Sequence, residues 1–177
     1  INTNQLVNML KGGLQTPLNV TFNNVRTKEQ LAGKVSKYLQ TDSLAILQLF
    51  YDEKQIEKFG FNPETYSAMF IPNTYECYWT LSAEGFAERM KLEYDRFWNA
   101  ERKIKAEEIN LTPVEVTTLA SIVQAEIAKN EELKRVAGLY INRLKTGMYL
   151  QADPTVKYAV GDYSLKRVLN KHLEIDS

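Results

Sequence analysis

Cysteine and histidine are nearly missing from this chain: Cys77 and His172 are the only ones among 177 residues. A lone cysteine excludes an internal disulfide framework. One thiol and one imidazole fall short of the ligand sets that hold zinc, so neither a metal centre nor a cofactor is expected. No apolar run approaches the roughly 20 residues that a membrane-spanning helix needs. Net charge is lacking as well, since 22 basic residues balance 22 acidic ones. That balance gives no electrostatic attraction to nucleic acid or to an anionic membrane surface, and neither is expected as a direct partner. Low-complexity tracts are absent. An initiating methionine is absent too: the chain starts at Ile1 and enters a helical pattern at once, as expected of a piece of a longer protein.

What is present suits an ordinary core-forming protein, with 44% hydrophobic and 25% charged residues. Residues 3–11 read as a helix (Leu6, Val7, Leu10) stopped by Gly12-Gly13. Leu18 to Phe22 alternate like a strand. Thr27-Lys28-Glu29-Gln30 forms a capping box and opens a helix with Leu31, Val35, Tyr38 and Leu39 inward. A single helix is predicted from about Ser43 to Phe59, with Leu44, Leu47, Phe50 and Tyr51 as its stripe and Gly60 as its stop. Residues 68–71 and 75–79 read as strand, broken by Pro72-Asn73. A long helix is then predicted from Ser82 to about Glu108, with Phe86, Met90, Tyr94 and Phe97 on its apolar face. Further helices follow over 112–127, 131–146 (Val136, Tyr140 and Leu144 inward) and from Asp153-Pro154 to Gly161. Some strand is expected in 147–152 and in the tail.

The helix after Leu111 carries the most informative side chain. Thr112 is a good N-cap, Pro113 suits the first helical position, and Glu115 completes a capping box. Val116, Leu119, Ala120, Val123 and Ile127 mark its apolar stripe. At about 100° per residue, Glu126 falls within roughly 20° of Leu119 on the helical wheel. A carboxyl group on such a stripe is expected to be buried, and then either paired or protonated. A carboxylic acid that keeps its proton near neutral pH suits general acid catalysis. The plain reading of the same residue is a buried Glu paired with an Arg to hold helices together.

Three ordered segments carry a family resemblance: Leu119-Ala-Ser-Ile-Val-Gln-Ala-Glu126, Val136-Ala-Gly-Leu-Tyr-Ile-Asn-Arg-Leu144, and Gly147-Met-Tyr-Leu-Gln-Ala-Asp-Pro-Thr-Val156 with Tyr158. Together they resemble the YceG-like family of endolytic murein transglycosylases. Upstream, Met69-Phe-Ile-Pro-Asn-Thr-Tyr75 is similar to that family's aromatic-Pro-Asp-Thr-Tyr segment, with Asn73 where Asp is usual. The resemblance spans nearly the whole chain. It implies an α+β fold: a LysM-like β-α-α-β subdomain over 14–80, a long connecting helix over 81–109, and a mostly helical catalytic subdomain over 110–177. Residues 1–13 would end an upstream, LysM-like unit. The family pattern continues beyond Ser177, which implies that the catalytic part is truncated here. The resemblance further implies an enzyme that cuts peptidoglycan glycan strands internally and leaves 1,6-anhydro ends. It implies a membrane anchor outside this chain, a periplasmic or extracytoplasmic catalytic domain, and cell-wall synthases as candidate partners.

The family's catalytic glutamate matches Glu126, while Gln124 stands where a second Glu is often found. Asn142, Arg143, Gln151, Asp153 and Tyr158 fall within the matching segments and are the candidate substrate-binding residues. Each also has a plain role. Asn142 and Arg143 would sit on a helix surface, and Arg143 beside Glu126 would neutralise it. Gln151 is either a donor to a sugar acetamido group or loop surface. Asp153 before Pro reads as an N-cap, or as the second carboxyl group of a hydrolase. Ser121 is expected to bond back to its own helix, as no histidine lies near it in sequence. Tyr140 and Tyr158 read as core or as sugar platforms. Tyr66, Tyr75, Tyr78 and Trp79 read as a glycan groove or as half-buried packing. Two other functions remain open from the residues: a non-catalytic LysM-like glycan-binding module, and a hydrolase using Glu126 with Asp153.

Overall fold

In a computed structural model the chain is described except at Ile1, Leu14, Ala128, Lys166, Asn170, Lys171 and 173–177, and except for the side chains of Leu6 and Leu10. The inward stripe expected at Leu6 and Leu10 therefore lies outside the described residues. Two compact units form, residues 1–99 and 100–177. The division falls within 81–109, the segment expected to be one connecting helix. The mixed architecture is α+β, with nine helices and one two-stranded sheet among the described residues. None of these helices is long and apolar enough to cross a membrane.

The first unit contains α1 (Thr3–Gly12), β1 (Leu18–Phe22), α2 (Lys28–Val35), α3 (Ser43–Gln48), α4 (Glu53–Lys58), β2 (Asn73–Cys77) and α5 (Ala83–Phe97). Strands β1 and β2 pair antiparallel, with Val20 opposite Tyr75 and Leu18 opposite Cys77. Val20, Phe22, Tyr75 and Cys77 are the buried side chains of the two strands, as alternation requires. On the other face Thr21 and Thr74 share a hydroxyl hydrogen bond of 2.7 Å. Phe22, Phe86, Phe70, Phe50 and Tyr66 form a chain of ring contacts through the core, with centroid spacings from 4.9 to 6.3 Å. Ala83, Phe86, Ala87, Met90 and Tyr94 are the buried face of α5.

Several expectations fail here for local reasons. The helix predicted over 43–59 is two short helices, because Asp52 accepts from the Gln55 N–H and starts a new one. Ile46, Leu49 and Phe50 are buried, whereas Leu44 and Tyr51, expected on the stripe, are exposed. Residues 66–69 form a 3-10 turn, not strand, and strand begins at Asn73, two residues before the expected Tyr75. Tyr38 and Phe97 face outward. The long helix ends at Phe97 because Trp98 leaves helical geometry and buries its indole, stacked edge-on to Phe97 at 5.4 Å. Neither Gly nor Pro announces that break.

The second unit contains α6 (Ala100–Glu107), α7 (Pro113–Glu126), α8 (Leu133–Lys145) and α9 (Asp153–Val160). Leu119 and Val123 from α7, Tyr140 from α8 and Ala152 before α9 are its buried cluster, flanked by Ile122, Val136, Ala137 and Leu150. Leu144, expected inward, is exposed. No strand forms at 147–152. The segment turns instead, with Gly147 and Gln151 both left-handed, at φ 69° and 51°. Strand expected in the tail is not present in its described part, and 173–177 lie outside the description.

Candidate active site

Helix α7 starts as its sequence dictates. The Glu115 N–H donates to the Thr112 hydroxyl at 3.3 Å, and the Thr112 N–H donates to the Glu115 carboxylate at 2.7 Å. These backbone and side-chain bonds to Thr112 hold the Glu115 carboxyl below its ordinary pKa of 4.5. At the other end the helix closes on Glu126, and Ile127 is extended at φ −129°. Ser121 bonds back to the Thr118 carbonyl at 2.7 Å, the packing role expected of it.

Glu126 is exposed, which corrects the expectation of a buried acid. No polar or charged residue is buried among the described ones. Azimuth alone does not bury a side chain. Glu126 shares its bearing with Leu119, but it lies about two turns further along α7. The buried cluster covers α7 only at Leu119 and Val123, so the last turn runs past it. Nor does a guanidinium seal the carboxylate: no ion pair joins Glu126 to Arg143 among the described residues. The Arg143 Nη1 donates instead to the Leu150 carbonyl.

Tyr140 ties the candidates together. Only 4% of it is exposed. Burial lifts its phenol above the ordinary pKa of 10.0; the negative charge of Glu126 pushes the same way, Arg143 opposes, and Asp153 adds to the rise. The charges of Glu126, Arg143 and Asp153, from three helices, thus all bear on the Tyr140 phenol. Arg143 also lies 6.0 Å from the Tyr140 ring centroid.

Asp153 is not the N-cap that its place before Pro154 suggests. Ala152 takes the cap position, at 1% exposure, and no side chain caps the helix. Asp153 is the first residue of α9, with its carboxylate exposed. The Thr155 N–H and hydroxyl both donate to the Ala152 carbonyl, at 3.0 and 2.7 Å. Burying the Ala152 methyl in the cluster shifts the helix start by one residue and leaves Asp153 free for other work. Gln151 is exposed, and few non-glycine residues adopt its left-handed backbone. Asn142 is exposed on α8, and Tyr158 on α9 is 71% exposed, which rules out the core reading for the latter.

Tyr149 escaped sequence reasoning. It is 87% exposed, in the turn between Arg143 and Asp153. Its signal was present, as an aromatic residue two positions past Gly147. In the first unit Tyr66 and Tyr75 are buried, so neither lines a groove, whereas Tyr78 and Trp79 are about half exposed. No cluster of metal-ligating side chains occurs among the described residues.

Comparison with known proteins gives a consistent answer. The profile of the YceG-like family matches residues 1–177. An endolytic murein transglycosylase of Bacillus subtilis is 47% identical over 60 residues, which are 34% of this chain and 16% of that protein. Its counterpart in Streptococcus pneumoniae is 40% identical over 68 residues, 38% of this chain and 12% of that protein. A crystal structure of a yceG-like protein from Listeria monocytogenes superposes with a TM-score of 0.74 at 25% identity, over the whole of this chain and 63% of that one. The matched stretches thus span less than a fifth of the curated relatives' length.

Proposed function

The chain belongs to the YceG-like family, and from that premise we propose that Glu126 is the acid–base residue of a lytic transglycosylase acting within murein glycan strands. One observation carries the proposal: Glu126 ends α7 with its side chain exposed, three residues past Val123, which lies in the cluster that also buries Tyr140 and Ala152. Two relatives bearing the name endolytic murein transglycosylase support the choice of substrate.

The chemistry needs one carboxyl group. Glu126 donates a proton to the oxygen between N-acetylmuramic acid and N-acetylglucosamine, and the C1–O bond breaks. Positive charge develops at C1 of the muramic ring. The Glu126 carboxylate then takes the proton from that sugar's C6 hydroxyl, whose oxygen bonds to C1 and closes the 1,6-anhydro ring. No water is consumed, and Glu126 ends protonated as it began. Such proton transfer contributes roughly 10² to 10⁴ in rate. A glycan bound over Glu126 would exclude water there, and dry surroundings favour the acid form of a carboxyl group. Asn142, Gln151 and Tyr158 present two amides and a ring for sugar contacts. The same reading implies a catalytic domain outside the cytoplasmic membrane, an anchor outside residues 1–177, a LysM-like role in glycan binding for the first unit, and wall synthases as neighbours.

A second reading has its own observation. Asp153 is released from capping and acts electrostatically on the same phenol as Glu126. A hydrolase would use it as the second carboxyl group. Product analysis of murein digested by the full-length protein decides between them. Anhydro ends that vanish in Glu126→Gln support the transglycosylase, reducing ends support the hydrolase, and full activity of Glu126→Gln removes Glu126 from either role.

A further inference from the structure

Tyr149 has the highest exposure of the large hydrophobic side chains described, yet it does not stand on a loose tip. Both flanks are held. On the near side the Met148 N–H donates to the Arg143 carbonyl at 2.8 Å, across the left-handed Gly147. On the far side the Leu150 carbonyl accepts from the Arg143 guanidinium, and Leu150 packs on the cluster of α7 and α8. Ala152 is buried in that same cluster. One arginine thus grips the chain on either side of Tyr149, through its own carbonyl and its own side chain. A turn restrained this way fixes where the ring is presented.

Met148 beside Tyr149 is exposed as well, and adjoining apolar side chains held in solvent mark a contact surface where a lone one would not. Its neighbourhood says what kind. Gln151 follows two residues later with an exposed amide, and Asp153 four residues later with an exposed carboxylate. Ala152, next to Asp153, is buried in one cluster with Val123, three residues before Glu126, and Leu150 packs on the same cluster, so the turn and the last turn of α7 are neighbours. A flat ring flanked by an amide and a carboxylate matches a pyranose. The C–H face of the sugar rests on the aromatic ring, and its hydroxyl and acetamido groups meet the polar side chains.

We propose that Tyr149 is a stacking platform for one sugar ring of the glycan strand, in a subsite flanking the bond that Glu126 acts on. This rests on the transglycosylase reading for its ligand, but its test is separate. Peptide-free glycan strands are titrated against the full-length protein in a Glu126→Gln background, with and without Tyr149→Ala. Tyr149→Ala raises Kd about three- to tenfold, as expected for loss of one aromatic contact. Tyr149→Phe stays within about twofold of the unaltered residue, because the ring and not the hydroxyl carries the contact. The melting temperature does not move in either. An unchanged Kd, or a fall in melting temperature with Tyr149→Ala, overturns the platform, the latter because the ring would then pack on the protein itself. Should Glu126→Gln still cleave, the catalytic assignment falls, and the platform is judged from KM with Glu126 intact.

Discussion

The Arg143 guanidinium donates to the carbonyl of Leu150, seven residues on and across the turn that ends α8. The bond commits one arm of the guanidinium to holding the 147–152 turn. Arg143→Ala is expected to free the turn. Hydrogen exchange at the amides of 148–152 accelerates roughly ten- to hundredfold, the equivalent of a charged hydrogen bond worth about 1.5–3 kcal/mol. Arg143→Lys recovers only part of the protection, since a point-like ammonium lacks the planar fork. Exchange measured residue by residue checks both.

Alkaline stability should reflect the buried phenols. Burial is the leading cause that raises the pKa values of Tyr66, Tyr75, Tyr94 and Tyr140, Tyr75 to about 12. A phenol with a raised folded-state pKa stabilises the fold fully below its unfolded value of 10.0. That contribution is lost as pH climbs from 10.0 towards about 12. Chemical denaturation between those limits should show falling stability. Tyr140→Phe should flatten the slope. Glu126→Gln should lower the Tyr140 pKa by removing a negative charge, read as the phenolate absorbance lost in Tyr140→Phe.

The start of α7 should be sensitive to acid. Thr112→Ala removes the hydroxyl half of the capping box, leaves the backbone N–H of residue 112 to the Glu115 carboxylate, and is expected to cost about 1 kcal/mol in urea denaturation. Glu115 has a depressed pKa. Its share of stability is present above the ordinary 4.5 and is lost as pH falls through its lower folded value. Glu115→Gln should remove that acid-side dependence while leaving the neutral-pH fold intact by circular dichroism.

Asp153→Asn separates the two glycan-cleaving mechanisms by product. Anhydro ends should persist, since the transglycosylase step needs only Glu126, and stability should fall by no more than about 0.3–1 kcal/mol from lost interaction with the α9 dipole. Mass spectrometry of the digest is the check, and disappearance of all cleavage would move Asp153 into the reacting centre.

Much of this fold was legible where the signals were local. The capping box at Thr112-Glu115, the alternation of β1 and the paired Gly12-Gly13 stop are short-range chemistry, and the elements they predict are present. What escaped depended on packing at a distance. Trp98 ends α5 because its indole is buried. Ala152 displaces Asp153 from the cap position because its methyl fills the cluster. The helical wheel placed Glu126 on the right bearing, yet it could not tell how far along α7 the cover extends. The charges of Glu126, Arg143 and Asp153 all act on Tyr140, and they come within range of it through the packing of α8 and α9 on α7, which no single segment of sequence encodes.

The left-handed backbone at Gln151, φ 51°, filters what this site can become. Glycine, asparagine or aspartate could inherit the position at little conformational cost, whereas valine, isoleucine or threonine would force the turn open. Under the proposed reading, change among sugar contacts would fall on Tyr149 and Tyr158, neither of which has a positive φ, while residue 151 stays confined to the few side chains its backbone admits.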